Sequence, residues 1–354
     1  MAKPAFADTP AQKCYADSGN PNTTVADCSA AIAADPKDPA SWSNRCAAYV
    51  DMDNFNAAIA DCTQAISLDP KDEPAFSNLC SAYIELGNIN TALADCTQAI
   101  LLNPKDASAY ANRCGVYLEL ENLNNALADC SEANSLDPTD TGNLSNRCFV
   151  YLLLGNYSAA LADCNAAISA NPGDNGPYLN RCQVYREQAN YTAAIADCTK
   201  AITLDPKDAS GWAGLGEVYS SAKNYGQSIS TFTQALALDP QDEVSLGGRC
   251  WGEAIIGQLQ AALADCNQAI HLDPNDSPNL DYRGFTYLQL GQFADAIADY
   301  NAALKIEPNR ATSLYGRGVA EIKNGDPTDG QKDIAAATAL EADIAAEMTG
   351  FGLK

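Results

Sequence analysis

The sequence predicts an all-α protein, an α-solenoid of ten 34-residue helix-turn-helix repeats, and three observations predict it. Prolines stand at positions 36, 70, 104, 138, 172, 206, 240, 274 and 308, each 34 residues from the last, in a recurring motif of the form Leu-Asp-Pro-Lys-Asp. Between successive prolines lie two apolar-periodic stretches of about a dozen residues each, the helical rather than the strand pattern. The 14 cysteines recur with the same period. A fixed period outranks chain length as a guide to architecture, because such repeats bury their apolar faces only against one another.

With the proline as position 32, the repeats begin at residues 5, 39, 73, 107, 141, 175, 209, 243, 277 and 311, and the last lacks its proline. Residues 1–38 are an N-terminal segment with an abbreviated first repeat, 39–344 the solenoid, and 345–354 a C-terminal tail. In the repeat from Glu73 to Asp106, a Gly87-Asn88 turn separates a helix A from a helix B. Asp38 and Asp72 stand where N-caps accept hydrogen bonds from free backbone N–H groups, and Pro39 follows at a first-turn position that tolerates it. The inter-repeat proline ends helix B, since it has no N–H and restricts the residue before it. Aromatic residues recur at position 4 (Trp42, Phe76, Tyr110, Tyr178, Trp212) and tyrosine at position 11 (Tyr49, Tyr83, Tyr117, Tyr151, Tyr185, Tyr219). Alanines at positions 20 and 27, such as Ala58, Ala65, Ala92 and Ala99, let two helices approach closely.

Over residues 39–344 this pattern resembles the tetratricopeptide repeat family, and most of all the bacterial variant whose helix A carries Asn-Arg-Gly and whose helix B carries Ala-Asp-Tyr. The resemblance implies a right-handed superhelix with a concave groove lined by the A helices. It also implies that positions 8 and 24, a glycine and an aromatic in the family, face each other across the helix pair.

Here cysteine occupies both positions together. Position 8 carries Cys46, Cys80, Cys114, Cys148, Cys182 and Cys250; position 24 carries Cys62, Cys96, Cys130, Cys164, Cys198 and Cys266. Where position 8 is Gly216, Gly284 or Gly318, position 24 is Phe232, Tyr300 or Ile334. Pairing helix B with the next helix A would strand Cys198 opposite Gly216 and Cys250 opposite Phe232. The expected bridges are therefore Cys14–Cys28, Cys46–Cys62, Cys80–Cys96, Cys114–Cys130, Cys148–Cys164, Cys182–Cys198 and Cys250–Cys266. The alternative is that these are small buried apolar side chains. A metal reading lacks both Cys-x-x-Cys spacing and a histidine cluster, His271 being the only histidine. Cys14 and Cys28 lie closer in sequence than the other pairs, as a two-residue deletion in the first hairpin turn would give.

Arginine at position 7 and aspartate at position 23 are a second matched pair, as in Arg45 with Asp61 and Arg317 with Asp333; repeat 7 loses both (Leu215, Thr231), and repeat 3 sets Leu79 against Asp95. A partly buried ion pair that fixes the hairpin is the expected role.

The formal charge of -24 argues against nucleic acid and anionic membrane surfaces. No apolar run reaches the roughly 20 residues of a membrane-crossing helix, so no membrane insertion is expected. Ala5-Phe6-Ala7 would fit a signal-peptidase site, but a leader upstream of Met1 is the preferred expectation. Seven bridges point to an oxidising, extracytoplasmic location, extracellular or periplasmic. No catalytic constellation, phosphate loop or cofactor motif is present. The acidic loops Asp51-Met52-Asp53-Asn54 and Asp326-Pro327-Thr328-Asp329-Gly330 lack the full calcium-ligand pattern.

The candidate partner-binding residues are Asn44, Asn78, Asn112, Asn146 and Asn180 at position 6, where family members use groove asparagines, with an apolar set of Phe149, Leu152, Leu153 and Leu179. Position 5 (Ser43, Ser77, Ala111, Ser145, Leu179) lacks the lysine of a carboxylate clamp. Acceptor triplets for N-glycosylation occur at Asn22, Asn143, Asn156, Asn190 and Asn275. Leu340, Ile344, Met348, Phe351 and Leu353 follow the last helix pair without a separate solvating helix. They are expected to form an open apolar end for head-to-tail self-association into an extracellular filament. The alternative function is a monomeric periplasmic or secreted adaptor that holds a peptide or protein in the groove.

Overall fold

Aspartate, asparagine and proline set the helix boundaries. Asp38, Asp72, Asp106, Asp140, Asp208, Asp242 and Asp276 cap A helices through their carboxylates, and Asn54, Asn122, Asn156 and Asn190 cap B helices through their amide oxygens. Gly87, Gly155, Gly257 and Gly291 supply the left-handed residue of A-to-B turns, with φ between 70° and 83°.

The computed structural model describes residues 8–16 and 19–353, so the Ala5-Phe6-Ala7 triplet lies outside the described residues. These fold into 21 helices and no strand. Two compact units divide the chain at Pro172. The first contains α1 (Pro10–Tyr15), α2 (Pro21–Ala34), α3 (Pro39–Val50), α4 (Phe55–Leu68), α5 (Glu73–Glu85), α6 (Ile89–Leu102), α7 (Ala107–Glu119), α8 (Leu123–Leu136), α9 (Thr141–Leu153) and α10 (Tyr157–Ala170). The second contains α11 (Gly176–Glu187), α12 (Tyr191–Leu204), α13 (Ala209–Ser221), α14 (Tyr225–Leu238), α15 (Glu243–Ile255), α16 (Leu259–Leu272), α17 (Ser277–Gln289), α18 (Phe293–Ile306), α19 (Ala311–Lys323), α20 (Pro327–Leu340) and α21 (Ile344–Gly350).

Within each unit every odd-numbered A helix pairs with the B helix that follows, and each B helix packs on the next A helix. Successive A helices also touch one another, as α3 touches α5 and α15 touches α17, whereas among the described residues B helices touch only A helices, apart from the contact of α20 with α21. The A helices therefore form the inner face of each stack. No described helix is long and apolar enough to cross a membrane.

All 14 cysteines are bridged, in the seven expected within-repeat pairs. Cα–Cα distances are 5.1–5.5 Å in the six pairs separated by 16 residues and 4.5 Å for Cys14–Cys28. The position 20 alanines are fully buried beside these bridges, so the helix pair is as close as the cross-link requires.

Each expected Arg–Asp pair forms as a two-pronged contact, with Nε to Oδ2 at 2.5–2.7 Å and Nη2 to Oδ1 at 2.7–3.0 Å. The structure adds a third prong. Nη1 of Arg45, Arg113, Arg249, Arg283 and Arg317 donates to position 25 of the preceding repeat, at Ser29, Thr97, Thr233, Asn267 and Asn301. One guanidinium thus ties its own hairpin together and clips it to its neighbour. It also stacks against the repeating aromatics, as Arg45 does over Trp42 and Tyr49 at 5.1 and 5.8 Å.

Where the repeat pattern lapses, carboxyls stand outside the ion pairs. Asp95, opposite Leu79, is pushed up to about 6 by burial. In repeat 8 the tyrosine of position 11 is replaced by Glu253, a buried residue whose Oε2 has no hydrogen-bond partner among the described residues. Burial first, then the charge of Asp265, pushes this carboxyl up to about 7, against the pull of Arg249.

The C-terminal residues do not form an open apolar end, which corrects the expectation from the sequence. Ile344, Met348, Phe351 and Leu353 are 0%, 2%, 9% and 5% exposed, and only Leu340, at 51%, faces solvent. Residues Ile344–Gly350 make a short extra helix, α21, that packs on α19 and α20. The chain then folds back over the A helices, because Trp251 presents a ring to the edge of Phe351 at 5.1 Å and Gln289 Nε2 donates to the Phe351 carbonyl at 3.4 Å.

Two outcomes are expected. Replacing Cys114 and Cys130 together by serine removes a closed loop worth about 3 kcal/mol in the chain-entropy model. Chemical denaturation under oxidising conditions should show up to that loss, and none relative to the parent once both are fully reduced. For Glu253, the folded state holds its proton more tightly than the unfolded chain, where a glutamate titrates near about 4.3. Its contribution is therefore fully present below about pH 4 and lost as pH rises to about 7. Glu253→Gln should stabilise the protein by on the order of 1 kcal/mol at pH 8 and by nothing at pH 4, read from thermal melts at both values.

Candidate functional site

The A-helix face of the first unit carries Asn44, Asn78 and Asn112, half-buried, and Asn146, exposed; their amides bond to no described residue. In the same unit Phe149 is half-buried, Leu152 buried and Leu153 exposed, while in the second unit Asn180 and Leu179 are half-buried. Of the glycosylation candidates, Asn22, Asn156, Asn190 and Asn275 are exposed. Asn143 is 2% exposed, and its Nδ2 donates to the carbonyls of Ala133 and Asp137, so it cannot accept a glycan in the folded chain. His271 lies exposed in the last turn of α16. No group of three or more His, Cys, Asp or Glu side chains among the described residues is placed to hold a metal.

A packing rule explains which residue occupies position 6. Phe232 lies between two helices, and a Cβ on Gly216 would sit 2.7 Å from its ring while one on Gly248 would collide with it. Tyr300 lies in the same way between Gly284 and Gly316. An aromatic at position 24 thus demands glycine both at position 8 of its own repeat and at position 6 of the next. A cysteine at position 24 leaves that second site free for a side chain: asparagine follows Cys28, Cys62, Cys96 and Cys130 and Tyr282 follows Cys266, while Gly214 after Cys198 leaves the permitted space unused.

In the second unit this rule opens a cavity of about 330 Å³ on the A-helix face. Gly247 and Gly248 of α15 leave room at its floor, beside the ring of Phe232. Its walls are Arg186 of α11, Glu217, Ser220 and Ser221 of α13, Glu243, Val244 and Trp251 of α15, and Asp276, Pro278, Asn279 and Tyr282 at and within α17. Trp251 and Tyr282 stack with centroids 5.0 Å apart and planes 28° apart, and Phe285 and Phe351 pack edge-on to Trp251. A second cavity of about 310 Å³ shares Ser220, Ser221, Trp251 and Tyr282 and has Phe351 as a wall. The returning C-terminal segment therefore shapes the aromatic side of the site.

The polar lining is acidic. Arg186 is engaged by two carboxylates, with Nη1 on Glu217 and Nη2 on Glu187 at 2.9 Å. Burial still holds Glu217 above its ordinary value. Glu243 accepts a hydrogen bond from Asn279 Nδ2, and Asp276 accepts from the Asn279 backbone N–H at 2.6 Å as the cap of α17. Burial, followed by the charges of Asp276 and Asp273, raises the Glu243 carboxyl. Neither Glu243 nor Asp276 has an ion-pair partner among the described residues. Burial pushes the Tyr282 phenol up to about 12, so it stays a neutral donor.

None of these residues stood out from the 34-residue pattern as a site. The available signal was the Gly247-Gly248 pair and a tryptophan at position 9 of one repeat. Gly248→Ala should cost about 1–3 kcal/mol by overpacking against Phe232. The cost should shrink in a Phe232→Leu background, a coupling that a double-mutant cycle in denaturant measures.

Models of the tetratricopeptide repeat match residues 39–72, 74–106 and 185–246, and a TPR repeat model matches 284–325. Among solved structures the chain is similar to the APC/C hetero-tetramer Cut9–Hcn1, at 17% identity and a TM-score of 0.66, over 84% of this chain and 59% of that one. It is also similar to a tetratricopeptide repeat protein from Parabacteroides merdae, at 19% identity and a TM-score of 0.53, over 73% of this chain and 98% of that one. The chain thus spans 59% of the length of the first relative, and at these identities the likeness is one of fold. No curated protein sequence matches it. Its period, its stacked helix pairs and these matches agree: the chain belongs to the tetratricopeptide repeat family, with paired cysteines in place of the glycine and aromatic of seven repeats.

Proposed function

We propose that the chain is a non-catalytic adaptor of an extracytoplasmic, oxidising compartment, which holds an extended segment of a partner protein against the A-helix face of its second unit. The observation that carries this reading is the open cavity floored by Gly247, Gly248 and Phe232 and walled by Trp251 and Tyr282. A concave, partly aromatic recess with a few convergent polar groups is the usual form of a recognition site. The asparagines at position 6 of the first unit extend the same kind of surface, since an amide offers a peptide backbone both a donor and an acceptor.

Seven bridges support the location, because such bonds persist where no reducing pool removes them. Head-to-tail polymerisation loses its support: four of the five apolar residues that would have driven it are covered by the chain itself, and only Leu340 stays exposed. Exposed Asn156 and Asn190, in A-to-B turns, are where a glycan would be accommodated.

Selection of a displayed random-peptide library on the oxidised protein tests the groove. Binders should lose at least about tenfold in affinity on Trp251→Ala, as truncation of a central aromatic anchor does. Binders indifferent to that change would sink the groove reading. Sedimentation should show a monomer across the concentration range, and thiol alkylation of protein from its natural source should find no free cysteine; a polymer, or free thiols, would reject the adaptor or the location respectively.

A further inference from the structure

We infer that the second-unit cavity is a socket for a cationic side chain, a lysine or arginine of the partner segment, seated on Trp251 and Tyr282 and flanked by Glu243 and Asp276. The inference rests on the groove reading above and adds the chemistry of what enters it.

Charge complementarity is the first argument. The lining holds three carboxylates, Glu217, Glu243 and Asp276, against one cation, Arg186, and that cation already has Glu217 and Glu187 as partners. Glu243 and Asp276, side by side at the partly buried start of α15 and α17, have no cation in contact with them among the described residues; Arg310, outside this lining, favours the Asp276 carboxylate by its charge without pairing with it. A carboxylate in such a place is stabilised by an opposite charge within a few ångströms. Burial, and then the charges of Asp276 and Asp273, displace the Glu243 carboxyl upward, and its hydrogen bond from Asn279 Nδ2 brings it no positive charge.

The aromatic pair is the second argument, and the molecule provides its own comparison. In five other repeats a guanidinium lies 5.1–6.0 Å from the rings of the position 4 or position 11 aromatics. In repeat 8 those positions are Leu246 and Glu253, and Arg249 has no ring beneath it among the described residues. Trp251 and Tyr282 instead present rings to the cavity with no cation over either of them among the described residues. A tryptophan face is the best of the aromatic seats for a cation. An anionic or carboxylate-terminated ligand would meet the same lining as repulsion.

Peptides selected on the oxidised protein supply the probes. A lysine or arginine should recur at a fixed position in those that depend on Trp251. Replacing it by glutamine should weaken binding about tenfold or more, and Glu243→Gln should weaken the parent peptide by a similar factor while hardly affecting the glutamine peptide. Raising the salt should weaken the parent peptide and leave the glutamine peptide nearly unaffected. Thermal melts of Glu243→Gln identify any loss that is merely unfolding. Binders that depend on Trp251 but carry no essential basic residue would overturn the socket and leave the groove standing. A library that yields no Trp251-dependent binder would overturn both.

Discussion

The contact between position 8 of helix A and position 24 of helix B is the constraint from which the rest of the structure follows. A helix pair with Cα atoms about 5 Å apart at one point has room there for either a disulfide or a glycine under an aromatic ring. The chain uses both solutions. Seven repeats take the covalent one and repeats 7 and 9 the packed one, while repeat 10 sets Gly318 against Ile334. Because the choice at position 24 decides what the next repeat can carry at position 6, it reaches beyond its own hairpin. Phe232 and Tyr300 each reach over into the following A helix and demand a glycine there; the cysteines do not.

The arginine at position 7 couples to this contact. It sits one residue before position 8, and its aspartate one residue before position 24, so the ion pair and the bridge fasten adjacent levels of the same helix pair. Its outward prong to position 25 of the preceding repeat then carries register along the stack. Half-buried pairs of this kind contribute little net stability against hydrophobic substitutes, but breaking one leaves a buried charge. Asp95 shows the consequence: with Leu79 in place of arginine, its carboxyl is pushed up to about 6 by burial.

The period, the helix pairs, the caps and the connectivity of all seven bridges were legible in the sequence, because in a repeat protein the contacts that matter recur at fixed short separations. What could not be read involves contacts that do not recur. Phe351 meets Trp251 across 100 residues, and nothing in the spacing of Leu340, Ile344, Met348, Phe351 and Leu353 distinguishes a segment that folds back from one that stays open. Asn143 carries an acceptor triplet, yet its amide is spent on two backbone carbonyls at the turn before α9, which only the packed turn reveals. The site residues were hidden for a related reason: Trp251, Tyr282 and Gly247 are departures from consensus, and a periodic reading discards departures.

The site's location follows from those same departures. Five of the seven bridges lie in the first unit, whose A helices repeat Asn-Arg-Cys almost without change. A run of near-identical repeats gives most of that inner face the same asparagine-lined surface, and a recess of comparable size, about 360 Å³, lies at the abbreviated first repeat, between Tyr15, Asn20, Asn44 and Asp51. The second unit alternates bridged repeats with glycine–aromatic ones up to repeat 9, so its inner face changes from glycine to ring within two repeats. Gly248 after Phe232 and Tyr282 after Cys266 are the two ends of that change, and the cavity lies between them. Local rules broken in sequence, with the fold held by bridges and ion pairs on either side, are what a recognition site on a rigid scaffold requires.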